Sequence, residues 1–129
     1  MVTFYKKETK TTPEIRINSL EHCFSIEGIS RPENVRTFYG ETLTALQQAL
    51  TEHADAAAPF LLSFKMDYFN SSSAKFIADI MMVAKEAGEN GVSCKIRWYY
   101  NQEDEDMLEV GEDFSEMAGI EFQYIMIQQ

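Results

Sequence analysis

The sequence predicts an α/β fold: one domain over residues 1–129, built on a mixed sheet of four to five strands with helices mainly on one face. Three observations carry this reading. Apolar periodicity switches repeatedly between two and 3.6 along the chain. Strand–helix–strand units imply parallel neighbours joined by right-handed crossovers. The strand segments also alternate apolar with polar residues, unlike the continuously apolar strands of sheets covered on both faces. At 129 residues the chain has no room for a second core.

Glu14 to Ile17 and His22 to Gly28 read as two strands joined through Asn18-Ser19-Leu20-Glu21, with Phe24 and Ile26 facing opposite to Ser25 and Glu27. Pro32-Glu33-Asn34 punctuates the chain ahead of a helical stretch with Val35, Phe38 and Tyr39. A helix from near Glu41 to about Ala54 follows Gly40, with Leu43, Leu46 and Leu50 at helical spacing. Ala56-Ala57-Ala58-Pro59 leads into a strand from Phe60 to Asp67, apolar at Phe60, Leu62, Phe64 and Met66. A helix beginning at Asn70-Ser71 places Phe76, Ile77, Ile80, Val83, Ala84 and Ala87 on one stripe, and Gly88 with Asn90-Gly91 ends it. Val92 to Tyr99 alternates as a strand. A helix from about Glu103 to Ala118 is expected to bury Met107, Val110, Phe114 and Met117. Phe122, Tyr124 and Met126 mark one face of a last strand.

Composition excludes several classes of function. No apolar run approaches the roughly 20 residues that span a bilayer, and the first residues lack a signal-peptide core. A cytoplasmic protein without membrane insertion is expected. The net charge of −10 is unevenly spread: residues 1–97 hold 12 acidic and 11 basic side chains, residues 98–129 nine acidic and none basic. Such a chain repels nucleic acid phosphates and anionic lipid, and suits solubility or a basic protein partner.

The tools of catalysis are scarce. His53 lies near a helix end, and His22 stands in a strand beside Cys23 with its side chain on the opposite face, a poor nucleophile–base arrangement. Cys23 and Cys94 lack metal-ligand spacing and read as buried free thiols. No glycine loop cradles a phosphate, so no nucleotide cofactor is expected. Glu103-Asp104-Glu105-Asp106 is the strongest local charge, but it lacks the glycine and distal glutamate of a calcium loop. Together with Glu109, Glu112 and Glu116 it reads as a solvated helix face or as a docking surface for a basic partner. Asn70-Ser71-Ser72-Ser73 is either a polar cap or a phosphorylation site at a helix start, where added negative charge meets free N–H groups.

Tyr68-Phe69-Asn70-Ser71-Ser72-Ser73-Ala74-Lys75, then Trp98-Tyr99-Tyr100 and Glu103-Asp104-Glu105-Asp106-Met107, resembles the SiaC family of bacterial regulatory phosphoproteins. Pro32-Glu33-Asn34 with Phe38-Tyr39, and Gly111-Glu112-Asp113-Phe114, fit the same pattern. The resemblance implies a STAS-like fold, of the type found in anti-sigma-factor antagonists. It also implies a non-enzymatic role: the unmodified protein activates a diguanylate cyclase, under control of a serine/threonine kinase and a PP2C-type phosphatase. The acceptor, commonly threonine in the family, is Ser71 here, with Ser72 the second candidate. Tyr68, Phe69, Asn70, Ser72, Ser73 and Lys75 are expected to meet partners, as are Glu109, Glu112 and Glu116. The alternatives are an anti-sigma-factor antagonist that sequesters a kinase-type anti-sigma factor, and a small acidic metal-binding protein or enzyme.

Overall fold

In the computed structural model, which describes residues 1–53 and 58–128, six strands form one sheet. They are β1 (Thr3–Lys6), β2 (Glu14–Asn18), β3 (Cys23–Ser30), β4 (Phe60–Phe69), β5 (Cys94–Asn101) and β6 (Phe122–Ile127), and their spatial order follows the chain. The first three pair antiparallel and β3 to β6 pair parallel. Helices α1 (Val35–Glu52), α2 (Ser71–Glu89) and α3 (Glu105–Ala118) make the three crossovers. Each crossover advances one strand in the same direction, so right-handed connections put all three helices on the same face.

Two rows of side chains running across the strands build the core under those helices. One follows Phe4, Ile17, Phe24, Leu62, Ile96 and Phe122; the other follows Ile15, Ile26, Phe64, Trp98 and Tyr124. Leu46, Ala49 and Leu50 of α1 close over them, as do Ile77, Ile80, Met81 and Ala84 of α2 and Met107 and Ala118 of α3. The opposite face is more polar, with apolar side chains such as Ile29, Leu61, Ile125 and Ile127 among polar ones. Tyr5, Arg16, Ser25, Ser63, Arg97 and Gln123 form one row across it, with Arg16 over the Tyr5 ring and Arg97 donating to Gln123. The one-sided sheet expected from alternation is therefore present.

The sheet has six strands where four to five were expected. The added strand, β1, pairs with β2 from Thr3↔Asn18 to Lys6↔Ile15. Four residues with adjacent aromatics and a trailing lysine give too short an alternation to read. The helix expected near Glu41 starts at Val35, because the Asn34 side chain accepts the Thr37 N–H at 3.0 Å. Gly40 does not interrupt it, for it lies on the exposed side of a continuous helix. The expected end near Ala54, and Ala56 and Ala57 beyond it, lie outside the described residues. His22 is not in a strand. It closes the β2–β3 turn at φ 56°, after the Asn18 side chain has taken the N–H groups of Leu20 and Glu21.

One burial expectation fails, at Met117. Met117 is 45% exposed, because the line of α3 facing the sheet is Met107, Gly111, Phe114 and Ala118, and Met117 falls beside it. Tyr124 and Met126 share the Phe122 side of β6 yet stay 37% and 46% exposed. α3 covers the start of this edge strand and no more of it.

Candidate functional site

The parallel strands all end at one rim of the sheet, and the three helices all begin there. Open α/β sheets place their functional sites at this rim. β4 reaches it through a change of register: Gly28 pairs with Met66, but the next residue, Ile29, pairs with Tyr68. The extra residue, Asp67, is accommodated beside Gly28, whose φ of 116° other residues rarely adopt. The slip exchanges faces. Phe69 turns to the helix side, against Trp98 and Phe114, while Tyr68 turns outward and is 50% exposed.

Asn70 then stops the strand and caps α2. Its side chain accepts the Ser73 N–H at 2.9 Å, its backbone N–H donates to the Ser30 carbonyl, and its carbonyl takes the Ala74 N–H. Among the described residues, the N–H groups of Ser71 and Ser72 have no partner and point out of the helix start. Both serine side chains are exposed. No acidic residue occupies the first turn of α2, in contrast to Glu105 and Asp106 at the start of α3. Lys75, exposed, lies four residues after Ser71 and so on the same side of the helix. Arg31, which the sequence reading did not single out, leaves β3 beside this point, since Ser30 pairs with Phe69.

Ser73 does not belong with the partner contacts expected of it. It is fully buried, and its hydroxyl donates to the Ser30 carbonyl at 3.1 Å. The Ser30 hydroxyl donates to Ser73 Oγ at 2.8 Å, and the Tyr39 hydroxyl completes the chain 2.5 Å from Ser30 Oγ. This buried relay ties α1, β3 and the start of α2 together, and each hydroxyl in it is satisfied. Phe38 and Tyr39 suggested a helix in the sequence, but nothing there signalled a hydroxyl chain.

Burial pushes the Tyr39 phenol up to about 12, against the smaller opposing effect of its hydrogen bonds to Ser30 and Ser73. The neutral form is the one the fold holds. Stability from this group is therefore complete below the unfolded pKa of about 10 and is lost as pH rises toward 12. The expected loss is about 1.4 kcal/mol per pH unit across that window. Urea midpoints of the wild type and Tyr39→Phe between pH 8 and 11.5 check this. The wild type should fall more steeply above pH 10, and parallel curves would show that the phenol is not held neutral.

The acidic helix stands apart from the serines. Asp104 caps α3 through the Met107 N–H, and Glu109, Glu112 and Glu116 are exposed along it. Among the described residues no three His, Cys, Asp or Glu side chains gather to hold a metal ion. The thiols are unsuited to attack: burial raises Cys23, and raises Cys94 to about 11. The two histidines are neighbours at the opposite rim, with ring centroids 4.6 Å apart. There His53 Nε2–H donates to the Ala58 carbonyl, and the ring packs edge-on against Phe60.

Exposed serine hydroxyls thus stand at an open helix start, on the rim of an α/β sheet covered by helices on one face. The profile of the SiaC family regulatory phosphoprotein matches residues 6–127, and the chain belongs to that family. An uncharacterised protein of Pseudomonas aeruginosa (strain UCBPP-PA14) is 31% identical over 114 residues, 88% of each chain. SiaC of Pseudomonas aeruginosa superposes with a TM-score of 0.82 at 27% identity, over 100% of both chains. A crystal structure of the diguanylate cyclase SiaD with its activator SiaC, also from Pseudomonas aeruginosa, contains a chain 28% identical to this one. The match covers 98% of this chain and 99% of that one, with a TM-score of 0.83. Among the described residues, no helix is long and apolar enough to cross a membrane.

Proposed function

We propose that the unphosphorylated chain binds and activates a diguanylate cyclase in the cytoplasm, raising c-di-GMP output and so controlling biofilm formation and aggregation. A cognate serine/threonine kinase modifies Ser71, with Ser72 the lesser acceptor, and a PP2C-type phosphatase restores the active form. The chain itself catalyses nothing. The observation that carries this reading is the exposed Ser71 at an unneutralised helix start, in a chain that aligns end to end with a cyclase activator. Tyr68, Phe69, Asn70, Ser72 and Lys75 flank that serine along the chain and serve in this reading as partner contacts, Phe69 and Asn70 from half-buried positions. Its test is peptide mass spectrometry of the protein from its native cells, with c-di-GMP production by the co-purifying cyclase measured with and without added unmodified protein. No phosphate on either serine, or a cyclase indifferent to the protein, would sink it.

The carboxylates of α3 supply a second contact in this reading. Reversing Glu109, Glu112 and Glu116 to Lys should weaken cyclase binding about tenfold and flatten its salt dependence. The melting temperature should hardly move, because exposed charges contribute little to stability. Titration calorimetry at two salt concentrations separates this from a helix that merely keeps the protein soluble, for which binding would be unchanged.

A further inference from the structure

We propose that the free edge of β6 accepts an extended segment of a partner protein as a seventh strand, one alternating apolar residues with Lys or Arg. The surface is distinct from the Ser71 hydroxyl and does not depend on its modification. The two edges of the sheet differ sharply. β1 is four residues long, ends in Lys6, whose ammonium is held by Glu41 and the Phe38 carbonyl, and is followed by Lys7. Short, lysine-bearing edges resist pairing. β6, by contrast, reads Phe-Gln-Tyr-Ile-Met-Ile: no charge, no proline, and a register unbroken from Ile96↔Phe122 to Asn101↔Ile127. Among the described residues nothing pairs with its outer side.

The surroundings of that edge specify the chemistry of its occupant. Gly111 sits over Trp98, and Phe114 leans from there toward Phe69 on β4. At 100° per residue, Leu108 lies on the flank of α3 toward β6, and the exposed Glu105 and Glu112 follow it around to the solvent side of that flank. On this helix side an incoming strand would meet the part-exposed Tyr124 and Met126, and its longer side chains would reach toward the exposed carboxylates of α3, whose own stretch, residues 98–129, holds no Lys or Arg. On the open side it would lie beside Gln123, Ile125 and Ile127. Because side chains alternate between the faces of a strand, basic residues suit one side and apolar residues the other. A second copy of this chain is the wrong occupant, since its β6 offers no cation and its α3 brings the same carboxylates.

The test uses the whole protein and three labelled nine-residue peptides: Lys alternating with Val, Glu alternating with Val, and Lys alternating with Pro. The last keeps the charge but cannot make a strand ladder. Binding of the Lys–Val peptide should be at least about tenfold tighter than either control. Amide shifts should centre on residues 122–127, and the joint Glu105→Lys, Glu112→Lys variant, checked for an unchanged melting temperature, should transfer the preference to the Glu–Val peptide. Equal binding of the Lys–Pro peptide would reduce the surface to charge alone and overturn the proposal. Shifts centred away from β6, or dimerisation of the free protein through that edge seen by light scattering, would overturn it as well.

Discussion

A phosphate on Ser71 is expected to weaken cyclase binding by about 100-fold, equivalent to about 2.7 kcal/mol, without melting the protein. The fold should accept the group. Ser71 is exposed, the first turn of α2 holds no acid, and the N–H groups of Ser71 and Ser72 face the added oxygens. Negative charge there is stabilised by about 0.3–1 kcal/mol, and Lys75 on the same side of the helix adds to this. A partner packed over the same spot must strip water from a near-dianion, which costs several kcal/mol unless a cation replaces it. The second effect is the larger, so the partner leaves and the fold stays. Ser71→Ala should bind as the unmodified protein does and ignore the kinase; Ser71→Glu, with one charge and a different shape, should fall between. Affinity and melting temperature are measured on unmodified, phosphorylated and Ala forms, with Ser72→Ala to fix the acceptor. Undiminished binding by the phosphorylated form, or loss accompanied by melting, would contradict the switch.

The hydroxyls, their cap and the helix behind them were readable because Asn-Ser-Ser-Ser before an apolar stripe is a local signal. The sheet's one-sidedness was readable for the same reason, from alternation within single strands. What escaped depends on distant pairing. Ser73 looks like its two neighbours in sequence, and only the packing of β3 against β4 shows that its hydroxyl is consumed by Ser30. Tyr68 and Phe69 exchange faces because one residue is accommodated beside Gly28, and strict alternation would have placed them the other way round. Tyr124 and Met126 carry the pattern of a buried face but lie beyond the reach of α3. The resemblance named the family correctly and stayed silent on each of these, as it did on why Gly111 stands in its Gly-Glu-Asp-Phe motif.

Gly111→Ala is expected to destabilise the protein by about 2–4 kcal/mol, the reverse of the usual sign. In an ordinary helix interior, alanine is better than glycine by about 0.5–1 kcal/mol. Here a Cβ would stand 2.5 Å from both Cδ1 and Nε1 of Trp98 and 2.8 Å from its Cγ. The indole has nowhere to go. Its N–H donates to the Met107 carbonyl at 2.9 Å, and Phe64, Phe69, Phe114 and Phe122 surround the ring. Either α3 lifts off the sheet or the buried N–H loses its acceptor; overpacking costs about 1–3 kcal/mol and the orphaned donor a similar amount. Both exceed the gain in helix propensity. Gly40 supplies the control, for a Cβ there meets nothing within 4 Å, so Gly40→Ala should stabilise by up to about 1 kcal/mol. Urea titration followed by fluorescence reads both variants, because Trp98 is the single tryptophan of the chain. A Gly111→Ala protein as stable as Gly40→Ala would show that α3 does not rest on the indole. If it does rest there, this glycine sets the height of the helix above β5, and with it the position of the exposed carboxylates that α3 carries.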